Sequence, residues 1–226
     1  MTTLPRHMKN FGNLWKFIVP LFALALLVGC TPQSSENTTE NTVAPPAPTP
    51  APSSPDAMKG FDGKLLSGKH TVVLKTSKGD ITVELDADAA PKTVTNFVVL
   101  AQSGYYEGLT FHRVIPGFMI QGGDPSGNGT GGDSVYGDTF EDETDNGNAL
   151  MAKGYKAGVM AMANRGPDTN GSQFFIMDAD YPLPPNYTIF GMVTDGQKVV
   201  NTIARVEKDG NDRPVEPVTF TVQIEN

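Results

Sequence analysis

The sequence predicts a mainly β fold that also contains two helices. Residues 218–224 alternate strictly between apolar and polar side chains, as a half-buried antiparallel strand does. Residues 70–86 have a hairpin pattern, and apolar residues at helical spacing occur in two segments, 88–104 and 197–206. About eight strands and two helices suit a closed antiparallel barrel, because closure leaves no exposed strand edge. The strand count alone does not separate a barrel from a sandwich.

The first predicted element is a β-hairpin. Residues 70–76 and 81–86 are strand-like and flank a turn at 77–80. Ile81, Val83 and Leu85 alternate with polar residues, so one side of this strand is expected to face the core. Residues 58–69 have no clear pattern and form a lead-in.

The first predicted helix follows the hairpin. Asp88 is suited to cap its N-terminus, Pro91 is suited to its first turn, and Gly104 is expected to end it. Its apolar stripe is expected to pack into the core and consists of Val94, Phe97, Val98 and Ala101.

The rest of the chain predicts further strands and one more helix. Pro116-Gly117 joins two strands, whereas residues 122–147 are glycine-rich and acidic and are expected to form a long loop. The second helix, 197–206, follows Asp195 and aligns Val199, Ile203 and Val206. The predicted strands are 111–115, 118–121, 157–163, 173–177, 188–193 and 218–224.

Residues 1–29 have the layout of a signal peptide. Residues 1–16 carry three basic side chains and no acidic one, and an apolar run of 12 residues follows at 17–28. This run is shorter than the about 20 residues that cross a bilayer, which disfavours a transmembrane anchor. It ends in Leu27-Val28-Gly29-Cys30, which resembles a bacterial lipobox. We expect cleavage before Cys30 and membrane anchoring by lipid, such as palmitate, on Cys30; a plain signal peptide is the alternative.

Residues 30–57 are expected to form a linker between the lipidated Cys30 and a folded domain at 58–226. Residues 31–55 contain seven prolines, nine Ser or Thr and no Lys or Arg, a composition that cannot build a core. The leader holds three of the 17 basic residues and none of the 25 acidic ones, so the remaining chain has a net charge of 14 − 25 = −11. Such a surface repels nucleic acid, so we expect no nucleic-acid partner and an anchor that depends on lipid rather than on charge.

Two segments combine single polar side chains with large apolar ones. Residues 111–124, FHRVIPGFMIQGGD, contain Arg113 and Gln121, and residues 162–176, MANRGPDTNGSQFFI, contain Asn164 and Gln173. Arg113 lies in an apolar, strand-like run, where an unpaired guanidinium is costly to bury. We therefore expect Arg113 to lie in a groove that offers hydrogen-bond partners or solvent.

These two segments resemble the cyclophilin family of peptidyl-prolyl isomerases, and the likeness covers most of residues 69–206. The resemblance implies a closed eight-stranded barrel capped by two helices, with the site on an outer face. It implies an isomerase that acts as a monomer on X-Pro bonds of exported or unfolded polypeptides. The chain departs from many members at Pro182, where they have tryptophan, and at Tyr187, where they have histidine. The implied site comprises Arg113 and Gln121 as catalytic residues and Phe118, Met119, Gly129, Ala163, Asn164, Gln173, Phe175, Leu183 and Tyr187 as substrate-binding residues.

Rotation about an X-Pro bond requires no nucleophile, metal or cofactor. Its barrier is about 18–20 kcal/mol, although the cis and trans forms differ by only about 0.5–1 kcal/mol. A donor aimed at the proline nitrogen favours the twisted amide over either planar form. Arg113 suits this role if Gln121 holds its guanidinium while one N–H reaches the substrate. A non-catalytic peptide-binding module or holdase, or a chaperone with incidental isomerase activity, would use the same groove.

Other chemistries have weaker support. A GxGxxG pattern at 127–132 lacks a following helix, and Gly132-Asp133-Ser134 is similar to a motif of some lipases but needs a histidine. His70 and His112 are the histidines left after cleavage, and His112 is expected to be structural and to face away from Arg113. So few ligands disfavour zinc and other transition metals. Residues 138–145 supply five carboxylates, but Thr144 breaks the calcium-loop spacing, which favours a solvated acidic loop.

Overall fold

The structure is a computed structural model that describes residues 61–145 and 147–225. The predicted leader, Cys30 and the linker at 30–57 lie outside the described residues. Among the residues described, neither helix is long and apolar enough to cross a bilayer. The strands are β1 (Lys69–Thr76), β2 (Gly79–Asp86), β3 (Leu109–Thr110), β4 (Arg113–Ile115), β5 (Met119–Gly122), β6 (Val159–Met162), β7 (Phe174–Met177), β8 (Ile189–Asp195) and β9 (Thr219–Glu225), and the helices are α1 (Pro91–Gln102), α2 (Gln197–Ala204) and a short 3-10 helix at Met151–Lys153.

All nine described strands belong to one sheet. Their order is β3-β9-β1-β2-β8-β6-β7-β5-β4, and each neighbouring pair is antiparallel. The two edge strands, β3 and β4, are separated in the chain by only Phe111 and His112. Two residues span only about 10 Å even when extended, so the sheet curls until its edges approach each other. The expected closed eight-stranded barrel is therefore replaced by an open, curled sheet of nine strands.

The predicted strand at 111–115 is interrupted, and this interruption creates the two edges. The N–H of Phe111 donates to the carbonyl of Val218, whereas the N–H of Val114 donates to the carbonyl of Asp212. Between Phe111 and Val114 the backbone thus changes its hydrogen-bond partner from the segment at Val218 to the segment at Asp212. The β ladder is therefore not continuous through these residues. The side chains beside this interruption pack tightly against β5, since a Cβ on Gly122 would lie 2.9 Å from the Phe220 ring.

The core confirms the alternation read from the sequence. Val218, Phe220 and Val222 are buried in and beside β9, and Ile224 is half-buried. In β2, Ile81, Val83 and Leu85 are fully buried. An aromatic cluster joins α1 to the sheet, with pairwise ring contacts that stabilise beyond simple burial. Its rings are Phe97, Tyr106, Phe111, Phe174, Phe190 and Phe220.

Helix α1 begins and ends where the sequence predicts. Pro91 is its first residue, and Gly104 follows its C-terminus with a left-handed φ of 77° that an L side chain rarely adopts. The predicted stripe of Val94, Phe97, Val98 and Ala101 is buried.

The predicted cap of α1 is wrong. Asp88 does not cap the helix; its carboxylate accepts the N–H of Gly68 at 2.7 Å. The carboxylate of Glu143 instead accepts the N–H groups of Lys92 and Thr93, at 3.1 and 2.8 Å. An acid from a distant loop therefore satisfies the first-turn donors, a pairing that local sequence does not reveal.

Helix α2 is shorter than predicted, and its predicted apolar stripe packs against the core. It ends at Ala204 rather than at residue 206, and its buried residues are Val200, Ile203 and Ala204. Val199 and Val206 of the predicted stripe are half-buried and pack against the same core as Ile203. The pattern did not identify Val200 and Ala204, which are also buried.

Candidate active site

Strands β4 and β5 place Arg113 directly opposite Gln121 in an antiparallel pair. Arg113 is half-buried, whereas the adjacent His112 is 6% exposed and does not line the same pocket. The location of His112 agrees with the structural role predicted for it. Arg113 is the cation that the sheet presents to the groove.

The predicted site residues surround one pocket on the outer side of the sheet. The pocket has a volume of about 150 Å³ and receives residues from β4, β5, β7 and the loops after β6 and β7. Sequence segments more than 40 residues apart are thereby brought together. The lining residues are Arg113, Phe118, Met119, Gln121, Ala163, Asn164, Phe175, Leu183 and Tyr187.

The other two predicted residues, Gly129 and Gln173, line an adjoining recess of about 60 Å³. The recess shares Gln121, Ala163 and Asn164 with the pocket, so the two form one continuous groove. We call the first part the main pocket and the second part the side recess.

The main pocket has an apolar floor. Met119 and Phe175 are 1% and 5% exposed and belong to the same hydrophobic cluster. Phe118 stacks on Tyr181 with ring centroids 4.5 Å apart, and Tyr187 meets Phe175 edge to face at 5.6 Å. Packing of this kind holds the walls before a ligand arrives, so a small apolar ring can enter without rearrangement.

Tyr155 fixes the rim of the main pocket. Its hydroxyl donates to the carbonyl of Tyr187 at 2.9 Å and accepts the N–H of Tyr187 at 3.1 Å. Burial raises the pKa of the Tyr155 phenol, which therefore stays protonated and able to donate. Tyr187 thus has a fixed backbone although it lies in an irregular segment.

The Gln121 side chain bonds Gln173 and does not bond Arg113. The Gln121 side-chain amide donates to Gln173 Oε1 at 3.0 Å, and Gln173 Nε2 donates to the carbonyls of Gly129 and Gly131 at 3.1 and 2.8 Å. In the described part of the chain, no hydrogen bond joins the Arg113 and Gln121 side chains, contrary to the predicted clamp. A guanidinium only donates hydrogen bonds, so Gln121 could hold it only through the side-chain carbonyl oxygen.

Asn164 and Ala163 have their side-chain and amide groups engaged within the protein. The Asn164 amide donates to Asp142 Oδ1 at 3.2 Å and to the carbonyl of Asn186 at 2.8 Å. The N–H of Ala163 donates to the carbonyl of Gln173 at 3.0 Å. The binding of a peptide backbone by main-chain groups of Ala163 and Asn164 stays a prediction.

Asp124 organises the glycine-rich wall of the side recess, and sequence reasoning did not single it out. Its carboxylate accepts N–H groups of Ser126, Asn128 and Gly129 at 2.8, 3.0 and 2.6 Å. Burial acts to raise the pKa of this carboxyl, but these bonds hold it below its usual value. The usable signal was the turn-forming run Asp-Pro-Ser-Gly-Asn at 124–128, since Asp commonly bonds the backbone two residues on.

Arg165 and Thr130 were also missed. Arg165 is exposed at the side recess and donates from Nη1 to the carbonyl of Thr130 at 3.2 Å. The two residues are 35 positions apart, so only the folded chain reveals their contact.

The acidic loop at 138–145 has structural contacts. Asp142 accepts N–H groups from Asn164, Asn170 and Asp168, while Glu143 bonds the start of α1. Across residues 61–145 and 147–225, no three acidic, histidine or cysteine side chains form a group that could hold a metal ion.

The serine of the lipase-like motif is buried in a turn. Ser134 is fully buried, and its hydroxyl donates to the carbonyl of Gly137 at 2.9 Å. It therefore lacks the exposure that a nucleophile needs.

The sequence of residues 71–223 matches the family profile described as cyclophilin type peptidyl-prolyl cis-trans isomerase/CLD. The chain is 52% identical over 149 residues to peptidyl-prolyl cis-trans isomerase-like 1 of Rhizopus delemar, covering 66% of this chain and 88% of that protein. It is 51% identical over 148 residues to peptidyl-prolyl cis-trans isomerase ppi1 of Schizosaccharomyces pombe, covering 65% and 93%.

The fold is similar to solved structures of the same type. A crystal structure of a Cryptosporidium parvum cyclophilin type peptidyl-prolyl cis-trans isomerase matches with a TM-score of 0.66 and 38% identity, covering 70% of this chain and 99% of that one. A second crystal structure of that protein, in the presence of the dipeptide ala-pro, matches with a TM-score of 0.64.

Proposed function

Because this chain belongs to the cyclophilin-type peptidyl-prolyl cis-trans isomerases, we propose that the groove around Arg113 is its active site. The observation that carries the proposal is the presence of Arg113 beside an apolar floor made by Met119 and Phe175. A proline ring needs shape and apolar contact, whereas its twisted amide needs a donor. The groove supplies both within one pocket.

Arg113 acts in this proposal by binding the twisted amide more tightly than either planar amide. As the C–N bond rotates, resonance is lost and the nitrogen regains a lone pair that can accept a hydrogen bond. The Arg113 side chain makes no ion pair within the described residues, so its donors are available. Gln121 lies opposite Arg113 in the β4–β5 pair, and Gln173 fixes the Gln121 side chain through its amide.

The apolar residues hold the proline while the preceding residue rotates. Phe118, Met119 and Phe175 would contact the ring, and Leu183 and Tyr187 would close the outer side. The main chain of Ala163 and Asn164 would bind the peptide backbone. Fixing both ends of the rotating bond limits the motion to the twist that the site stabilises.

The test compares Arg113→Ala, Arg113→Lys and Lys78→Ala by the rate of cis-to-trans conversion of an Ala-Pro peptide. Removing one donor that acts in the transition state commonly costs about 100-fold or more in rate, so we expect a loss of that size in Arg113→Ala. Arg113→Lys keeps the charge without the planar fork and should lose activity in part. Lys78 is exposed in the β1–β2 turn and serves as the matched control.

Melting temperatures distinguish a lost donor from a damaged fold, and all three variants should melt as the parent does. Full activity in Arg113→Ala would exclude the mechanism. Peptide binding by the parent without rate enhancement would favour a non-catalytic peptide-binding module or holdase.

We further propose that the protein is exported and anchored by lipid on Cys30, and that its substrates are proline-containing chains folding outside the cytoplasm. The support is the sequence layout of residues 1–30. The family match covers residues 71–223 and leaves this segment to be judged by its own pattern. The proline-rich linker would hold the domain away from the bilayer.

A further inference from the structure

The side recess contains a second arginine that the isomerase mechanism does not use. Arg165 lies after β6 and carries its guanidinium to the opposite wall, where Nη1 bonds the Thr130 carbonyl at 3.2 Å. It therefore bridges the loop that begins at Asn164 and the glycine-rich loop at 126–132. One guanidinium nitrogen is used in this bond, and the fork has further N–H donors.

No acid neutralises Arg165 within the described part of the chain. The ion pairs found there involve Lys69, Lys75, Lys92, Lys156, Arg205 and Lys208. Arg113, in the main pocket, is likewise without an ion pair among the described residues. The groove therefore contains two arginines whose donors no described carboxylate occupies.

The carboxylates nearest in sequence and space have other partners. Asp142 accepts from Asn164, Asn170 and the N–H of Asp168. Asp168 accepts the N–H of Asp142 at 2.9 Å. On the opposite wall, the Asp124 carboxylate accepts the backbone N–H groups of Ser126, Asn128 and Gly129. Asp142 is thus held by two side-chain amides and one backbone N–H, and none of these carboxylates bonds the guanidinium of Arg165.

The side recess lies within reach of a peptide whose proline occupies the main pocket. The two parts share Gln121, Ala163 and Asn164 as lining residues. In an extended peptide, side chains two positions apart point the same way and are separated by roughly 7 Å. Because the recess adjoins the main pocket, we assign it to the side chain two positions from the proline.

We propose that Arg165 selects substrates that carry an acidic side chain two residues from the proline. This inference rests on the proposed function, because it needs the proline in the main pocket. A glutamate carboxylate would receive a charge-assisted hydrogen bond from the free N–H groups of Arg165. An exposed pairing of this kind changes affinity modestly, so it sets preference among clients and not whether turnover occurs.

The experiment uses the full chain and peptide pairs that differ only in Glu or Gln. One pair varies the second residue before the proline, and the other varies the second residue after it. The expected result is a kcat/KM for the Glu peptide about 2- to 5-fold above that for Gln at one of the two positions. The variants are Arg165→Gln, Arg165→Lys and Lys78→Gln.

The preference should fall to about 1 in Arg165→Gln and persist in part in Arg165→Lys, because lysine keeps the charge but lacks the fork. Lys78→Gln removes the same charge from an exposed turn and should keep the full preference. A purely structural role of Arg165 would change the rates of both peptides together and leave their ratio intact.

Equal rates for the Glu and Gln peptides at both positions in the parent protein would overturn the inference and leave the proposed function standing. The same holds if Arg165→Gln retains the preference. No turnover of any peptide by the parent protein would overturn the proposed function, and this inference with it.

Discussion

At the scale of single residues, the groove is lined by two kinds of polar side chain. Some already form hydrogen bonds within the protein, and others have donors left for a substrate. The side-chain amide of Gln173 donates to the carbonyls of Gly129 and Gly131. The side-chain amide of Asn164 donates to the Asp142 carboxylate and to the Asn186 carbonyl. These bonds fix the walls. Arg113 keeps donors free for a substrate because nothing charged in the described residues pairs with it.

His112 is a buried titratable residue beside this site. Both ring nitrogens are buried without a hydrogen-bond partner in the described part of the chain. Burial lowers the pKa of His112 from 6.5; Asp124 opposes the shift, and Arg213 and Arg113 add to it. The folded protein therefore keeps the ring neutral at pH values where the unfolded chain already binds a proton.

We predict that stability decreases as the pH falls below about 6.5, the ordinary histidine value, because only the unfolded state gains a proton in that window. The loss should level off below the folded-state pKa. Melting curves between about pH 7.5 and about pH 5.5 measure it. His112→Phe should flatten this slope, whereas His70→Gln, on the half-buried histidine of β1, should preserve it. An unchanged slope in His112→Phe would show that another group is responsible.

At the scale of elements, the start of α1 depends on a residue far away in sequence. Glu143 accepts two first-turn N–H groups of the helix, and its own N–H donates to Thr188 Oγ1 at 2.8 Å. The same loop contains Asp142, which holds Asn164 at the groove. Helix, acidic loop and groove wall are thus one connected set of hydrogen bonds.

We predict that Glu143→Ala lowers the free energy of unfolding by about 1–2 kcal/mol, because two helix donors lose their acceptor and the helix dipole loses a favourable charge. Urea denaturation measures this change. Asp88→Ala is the matched comparison, since Asp88 is the cap that local sequence predicts but in fact accepts the N–H of Gly68.

The loss for Asp88→Ala should be the smaller of the two. The reverse order, with Asp88→Ala the more destabilising, would contradict the assignment of Glu143 as the cap.

At the scale of the whole molecule, the pairing of neighbouring strands brings the two halves of the site together. β4 and β5 carry Arg113 and Gln121, and β7 pairs with β5 so that Phe175 lies opposite Gln121. The curl depends on close packing at Gly122, where a Cβ would press on Phe220 and on the carbonyl of Thr110. The position of the groove is therefore a property of the sheet and not of any one strand.

The proposed lipid anchor belongs to the same scale, because it would set where the domain works. We predict that the chain produced in a bacterium is cleaved before Cys30 and carries acyl chains there, because two or more chains anchor a protein stably. Mass spectrometry of the N-terminus and membrane fractionation measure this. Cys30→Ser should remain unlipidated and leave the membrane fraction. An N-terminus that keeps Met1, or an unmodified Cys30 after cleavage, would refute the anchor.

The sequence by itself determined the elements whose pattern is local. The alternation of residues 218–224, the stripe of α1 and the end of that helix at Gly104 follow from side-chain period and from backbone geometry near Cα. The motifs around Arg113 and Asn164 named the family and the residues that line the main pocket.

Only the tertiary structure decided the rest, because each remaining feature pairs groups that are distant in the chain. The break between β3 and β4 arises where Phe111 and Val114 bond different segments. The cap from Glu143, the hold of Gln173 on Gln121 and the contact of Arg165 with Thr130 likewise join residues 35 or more positions apart. Hydrogen bonds of this kind depend on the path of the whole chain, and no local pattern encodes them.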